Sequence, residues 1–198
     1  MTHPAPPDGP GRIQRRPVYS GRIVDLSVDT VRFPDGSTGE LELIRHRGAS
    51  AVLPLLSPPE ERDPDVLLVR QYRYAAGGYV YEVPAGMPDR PGEPWEDCAH
   101  RELEEETGHR AGELRYLTEI FTTPGFTDEV IRLFVAWGLE EGESRLDHDE
   151  FVEVVRVPFS RAVAWVRDGT IKDCKSVAAI LYCAQFVVGR PGVTEGQG

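Results

Sequence analysis

Residues 101–106 read Arg-Glu-Leu-Glu-Glu-Glu, so Arg101, Glu102, Glu104, Glu105 and Glu106 fall within six positions. On a helix, Glu102 and Glu106 are spaced i, i+4 and lie one above the other. Glu105 is three residues after Glu102 and borders the same face. Like charges at that spacing repel, and hard, oxygen-seeking Mg²⁺ or Mn²⁺ would relieve the repulsion. A solvated acidic face is the plainer reading of such a run, but the flanking residues point to a site. Pro94, after Glu93, suits a first helical turn. Trp95, Cys98, Ala99 and Leu103 supply an apolar stripe that would orient the acidic face. Gly108 suits the left-handed residue that ends a helix. Upstream, Val83-Pro84-Ala85 closes a strand-like run before Gly86. The order is strand, glycine loop, carboxylate-bearing helix.

The rest of the chain must hold that helix. Arg22 to Phe33 alternates as a strand through Ile23, Leu26, Val28 and Val31. Pro34-Asp35-Gly36-Ser37 is a turn, and Glu40 to Arg47 returns as the second arm of a hairpin. Ala51–Leu56, Val66–Tyr74, Tyr79–Val83, Leu114–Phe121, Val130–Trp137 and Phe151–Val157 read as further strands. Ser160 is placed to cap a helix that ends at Asp168-Gly169. Lys175 to Val188 forms an apolar helix, with Val177, Ile180, Leu181 and Ala184 spaced for burial. These elements predict an α/β (α+β) domain, a mixed β-sheet sandwiched between helices and preceded by an antiparallel hairpin. The expected boundaries are a tail at 1–12, the hairpin and dimerisation segment at 13–48, the main domain at 49–190 and a tail at 191–198.

Composition narrows the function. The 198 residues carry a net charge of −11, which argues against a general nucleic-acid binder with its basic footprint. A polyanionic substrate would need metal ions and a few placed arginines. No run of 18 apolar residues predicts a membrane span, and the N-terminus lacks the apolar region of a signal peptide. Three cysteines, Cys98, Cys174 and Cys183, form no Cys-x-x-Cys pair. Each sits in an apolar helical pattern, as a reduced, cytoplasmic thiol acting as a small hydrophobe would.

Segment 86–108 resembles the Nudix box: Gly, five residues, Glu, seven residues, then Arg-Glu-apolar-x-Glu-Glu-x-Gly-apolar. From Glu93 to Gly108 the fit has no gaps. Two departures occur. Six residues separate Gly86 from Glu93, and His109 replaces the final apolar residue. The extra residue falls in a loop, where insertions are tolerated, and leaves the helical spacing intact.

The resemblance implies a Nudix fold and hydrolysis of a nucleoside diphosphate linked to another moiety. It implies Glu102, Glu105, Glu106 and the Ala85 carbonyl as ligands of Mg²⁺ or Mn²⁺, with Glu105 also catalytic. Arg101 would brace the glutamates, and Glu93 would either orient that network or cap the helix. Glu104 should face away into solvent. Thr123-Pro124-Gly125-Phe126-Thr127-Asp128-Glu129 is similar to the loop of ADP-ribose pyrophosphatases, with Pro124 sixteen residues after Gly108. Pro124, Gly125 and Glu129 are therefore candidate substrate contacts, with an ordinary turn as the alternative. Arg73, in Val-Arg-Gln-Tyr-Arg, is a further candidate. Glu150 aligns best with the general base of that subfamily, and Glu153 is second. Arg45, Arg47 and Phe33 are possible adenine contacts, although Phe33 also suits a core. The expected partner is a small nucleotide sugar, ADP-ribose first and GDP-mannose as an alternative, acted on by a homodimer with no nucleic acid or membrane. The competing class is a non-catalytic ADP-ribose-binding module, which the intact glutamates disfavour.

Overall fold

A computed structural model describes residues 9–142 and 152–190. The chain divides into two compact units. One comprises the described residues up to Gly48 together with Phe121–Val130. The other comprises Ala49–Ile120 and the described residues from Ile131 onward.

The first unit is a three-stranded antiparallel meander, β1 (Gly11–Ser20), β2 (Asp25–Arg32) and β3 (Thr38–Arg45), in that spatial order. The sequence predicts only the last two strands. β1 has no apolar alternation: it carries Arg12, Arg15, Arg16 and Pro17 and is almost wholly exposed. Its pairing with β2 rests on the backbone ladder and on ion pairs such as Arg15–Asp25 at 2.6 Å. Pro17 is tolerated because β1 is an edge strand. A second correction concerns which side of β2 is covered. Ser27 and Asp29 are buried, while Leu26, Val28 and Val31 are only partly so. Asp29 is covered because Arg45 of β3 pairs with it. Ile23 lies before the strand and is exposed.

The second unit holds two sheets. One is antiparallel, ordered β10 (Val152–Pro158), β5 (Asp65–Arg73), β6 (Gly78–Glu82). The other is mixed, ordered β7 (Ala85–Gly86), β4 (Ala49–Pro54), β9 (Val130–Glu141), β8 (His109–Phe121). β4 runs parallel to β9 and antiparallel to β7. Successive side chains of a strand point to opposite faces, and β4 uses both. Val52, with Phe134 and Ala136, packs against Ala99 and Leu103 of α1 (Trp95–Thr107). Ala51 and Leu53, with Leu133 and Val135, pack in the other cluster with Ala179, Ile180 and Cys183 of α3 (Cys174–Phe186). Phe159 and Ala162 of α2 (Phe159–Asp168) join that second cluster. The mixed sheet is thus sandwiched between helices, and β4 is buried along its whole length because it serves both layers.

Several local expectations are corrected. β8 starts at His109 rather than Leu114. Gly108 at φ 70° ends α1 and turns the chain directly into the strand. Ser160 is not the cap of α2. Its N–H and hydroxyl instead donate to Asp63 at 2.7 and 2.8 Å, so a loop residue serves the helix start. Leu181 is exposed, on the outer side of α3. Cys174 is exposed at the first position of α3, whereas Cys98 and Cys183 are buried. Burial pushes the Cys98 thiol up to about 11 and the Cys183 thiol to about 12.

Candidate active site

In the second unit α1 meets β7. Glu102 and Glu106 are both buried. A Cβ on Gly86 would coincide with the Glu102 carboxylate. One turn later, Glu106 accepts the Ala85 N–H at 3.3 Å. Two carboxylates spaced i, i+4 on a helix therefore meet two consecutive residues of one short strand. Only glycine allows this approach at position 86.

Arg101 gathers the remaining acids. Its Nη1 donates to Glu102 at 2.7 Å and to Glu105 at 2.9 Å, and its Nη2 donates to the Met87 carbonyl at 2.9 Å. Weaker bonds reach Glu93 at 3.4 Å, and Asp89 lies 3.3 Å from Nε. Burial opposes the charge of this guanidinium, but Glu93 and Glu102 outweigh it and raise the pKa. Glu93 does not cap α1. Its carboxylate accepts the Asp89 N–H at 2.8 Å and faces Arg101. Burial would raise the pKa of Glu93, yet the bonds from Arg101 and Asp89 lower it.

Among the described residues no three His, Cys, Asp or Glu side chains stand as a ready cation cluster. The site's chemistry nevertheless fits a hard divalent ion. Two buried carboxylates share one helix face, and the backbone beside them is held open by a glycine. Cys98, a soft donor nearby, donates to the Gly86 carbonyl at 3.6 Å. Glu104 faces away from Glu102, but it is half-buried rather than free in solvent and pairs with Arg110 at 2.7 Å.

Arg73 ends β5. Its Nε and Nη2 donate to the two oxygens of Glu82 at 2.7 and 2.9 Å, a bidentate pair. Arg70 lies on the other face, its guanidinium 4.1 Å above the Tyr79 ring, and pairs with Glu153 at 3.1 Å. Glu153 is thus an exposed strand residue opposite Arg70. Glu150 lies outside the described residues. Glu82 and its second partner, Lys175, were missed by sequence reasoning. The available signals were an acid ending an apolar strand and a lysine in a chain with only two.

In the first unit, Pro124 and Gly125 are exposed. Glu129 accepts from the Thr122 hydroxyl at 2.9 Å and lies 3.2 Å from His46 Nδ1. Asp128 accepts from the His46 N–H at 2.8 Å and from Arg45 at 3.2 Å. The 121–130 loop is therefore fastened to the end of β3. Phe33 is half-buried and packs over Gly39, and Arg47 is exposed.

Comparison with known proteins identifies the family. The family model described as NUDIX domain matches residues 45–174. The chain is 38% identical over 172 residues to the methanol dehydrogenase activator of Bacillus methanolicus, covering 86% of this chain and 90% of that protein. It is 37% identical, with the same coverage, to the ADP-ribose pyrophosphatase of Bacillus subtilis (strain 168). A crystal structure of an ADP compounds hydrolase superposes with a TM-score of 0.75 over 93% of this chain and 96% of that one. Its sequence identity is 22%, so it speaks for the fold. With the box in register, its glutamates on one helix and the family model spanning most of the chain, this protein belongs to the Nudix family.

Proposed function

We propose that this Nudix pyrophosphohydrolase cleaves ADP-ribose to AMP and ribose 5-phosphate, with Mg²⁺ as cofactor and Mn²⁺ as a substitute. The observation that carries the reading is the buried Glu102–Glu106 pair set against Ala85 and Gly86. Arg101 brings one positive charge to Glu102 and Glu105, and a hard divalent cation would add to it among these clustered carboxylates. The ADP-ribose pyrophosphatase named above supports the choice of substrate.

Glu102, Glu105, Glu106 and the Ala85 carbonyl would hold the metal. When bound, it neutralises pyrophosphate oxygens and lowers the pKa of the attacking water. Arg101 fixes the rotamers of Glu102 and Glu105 from below, so the acids are oriented before substrate arrives. Water attacks one phosphorus, the bridging P–O bond breaks, and the leaving phosphate takes the bridging oxygen. Glu150 is proposed to accept the proton of that water, with Glu105 as the alternative within the helix. Arg73 is proposed to meet the substrate's phosphates. On the strength of sequence, Pro124, Gly125 and Glu129 are proposed as substrate contacts.

We also infer a homodimer built through segment 13–48, in the cytoplasm. Ile13, Val18, Tyr19 and Leu41 are large apolar residues exposed on the meander, which supports a further burial partner. Free cysteines suit a reducing compartment, and no helix of the described residues is long and apolar enough to cross a membrane. A panel of nucleotide sugars assayed with Mg²⁺ and Mn²⁺ tests the substrate. Preferred release of AMP from ADP-ribose is expected. Preference for GDP-mannose would move the assignment to that substrate, and binding of ADP-ribose without turnover would support the non-catalytic module.

A further inference from the structure

A second charged cluster, of which the hydrolytic scheme above uses only Arg73, is centred on Glu82. Glu82, the last residue of β6, has a side chain only 4% exposed. It is held from two sides. Arg73 donates to both of its oxygens, and Lys175 Nζ lies 2.5 Å from Oε2. Lys175 is itself buried and sits 3.0 Å from Asp173. Asp173 in turn accepts the Ser176 N–H at 3.0 Å and its hydroxyl at 2.6 Å. The same Ser176 oxygen accepts the Val83 N–H at 2.8 Å. The first turn of α3 is thereby tied to the segment leading into Ala85.

A buried set of alternating charges is a poor way to gain stability, because desolvation consumes most of the attraction. Apolar residues of the same volume would fill such a space at lower cost. Its value is orientation. The Arg73 side chain is 44% exposed, so it is not sealed within the cluster. The Nε–Nη2 edge is taken by Glu82, which leaves the Nη1 donors as those available to an anion. The Glu82 that holds Arg73 lies three residues before Ala85, so the guanidinium is anchored beside the segment that carries a proposed metal ligand.

We propose that Glu82 and Lys175 are positioning residues that aim Arg73 at the phosphates of the substrate. Glu82 clamps the fork in one orientation. Lys175 balances Glu82, so the carboxylate holds Arg73 without drawing it fully inward. Among 22 basic residues only two are lysines, and at position 175 a compact ammonium fits a buried place where a guanidinium would demand more partners. The inference rests on the nucleotide-sugar pyrophosphatase reading.

The test compares Glu82→Gln, Lys175→Met and Arg73→Lys in the full chain, with ADP-ribose at saturating Mg²⁺. Each should raise KM by about tenfold while kcat stays within about threefold, because the lost interaction is ground-state anchoring of phosphate. Arg73→Lys keeps the charge and loses the fork, so it should match Glu82→Gln. The Glu82→Gln/Arg73→Lys double variant should be no worse than the poorer single one. Thermal midpoints separate this from a purely structural role, which would lower the midpoint and leave KM of the folded enzyme unchanged. If Glu82→Gln does not fold, Lys175→Met and the part-exposed Arg73→Lys carry the same comparison. KM within twofold of wild type in the Glu82 and Lys175 variants, in an active enzyme, would overturn the inference alone. Wild-type inactivity on every nucleotide sugar tried would overturn the parent reading, and this inference with it.

Discussion

The Glu102 carboxylate occupies the space where residue 86 would carry its Cβ. A glycine outside the helix thus sets where the Glu102 carboxylate can sit. Gly86→Ala should push the carboxylate aside without unfolding the chain, because the obstructed atoms are the far end of a flexible side chain. We expect turnover to fall by about a hundredfold and the Mg²⁺ needed for half-activation to rise. The thermal midpoint should change by only about 2 °C. Steady-state kinetics over a Mg²⁺ titration checks this, and unaltered activation would mean that Glu102 has room elsewhere.

Glu102→Gln and Glu106→Gln should each lower kcat by orders of magnitude while the fold persists. Glu104→Gln should cost no more than about twofold in rate, since that side chain is engaged with Arg110. Equal damage from Glu104→Gln and Glu106→Gln would reverse the facing of the helix.

Arg101→Lys should not rescue Arg101→Met. The guanidinium reaches Glu102, Glu105 and the Met87 carbonyl at once, and one ammonium cannot span those acceptors. Both variants should lose at least about tenfold in kcat/KM. Recovery of wild-type kinetics in Arg101→Lys would reduce the residue to a simple counter-charge.

Acid should destabilise the protein partly through Glu82. Burial would raise its pKa, but Arg73 and Lys175 win and hold it below the ordinary 4.5. The folded chain then binds fewer protons than the unfolded one near that pH. The contribution is complete above about 4.5 and is lost as pH falls through the lower folded value. Thermal midpoints between pH 3 and 6 should fall less steeply in Glu82→Gln than in wild type. Parallel curves would remove Glu82 from the acid limb.

Glu150→Gln should reduce kcat more than it weakens ADP-ribose binding, since a general base acts in the transition state. Single-turnover rates of Glu150→Gln beside Glu153→Gln decide the matter. Near-wild-type rates in both would leave Glu105 as the base.

The acidic helix was legible because its signal is local. Spacing alone puts Glu102 and Glu106 on one face, and Leu103 and Ala99 say which way the helix turns. β4, β5, β6 and β9 were legible for a similar reason, being apolar runs long enough to stand out, whereas the two-residue β7 was not and β8 was legible only from Leu114. β1 was not, because its arginines and Pro17 carry no burial pattern and its partner supplies the ladder. Ser160 misled because a nearby hydroxyl resembles a cap, whereas the bond comes from Asp63, 97 residues away. Glu82 and Lys175 are 93 residues apart, and no spacing rule links them. What escaped the sequence is what depends on long-range pairing of polar groups.

The Ser176–Val83 bond should also order events during synthesis. Every residue of the box has left the ribosome long before Ser176 is made, yet the strand entering Ala85 is fastened by that serine. A nascent chain stopped before α3 would carry all the glutamates with an unfinished backbone beside them. Closing so long a loop is a slow step in folding. Activity should therefore emerge only with the last helix, well after the acidic segment itself has been translated.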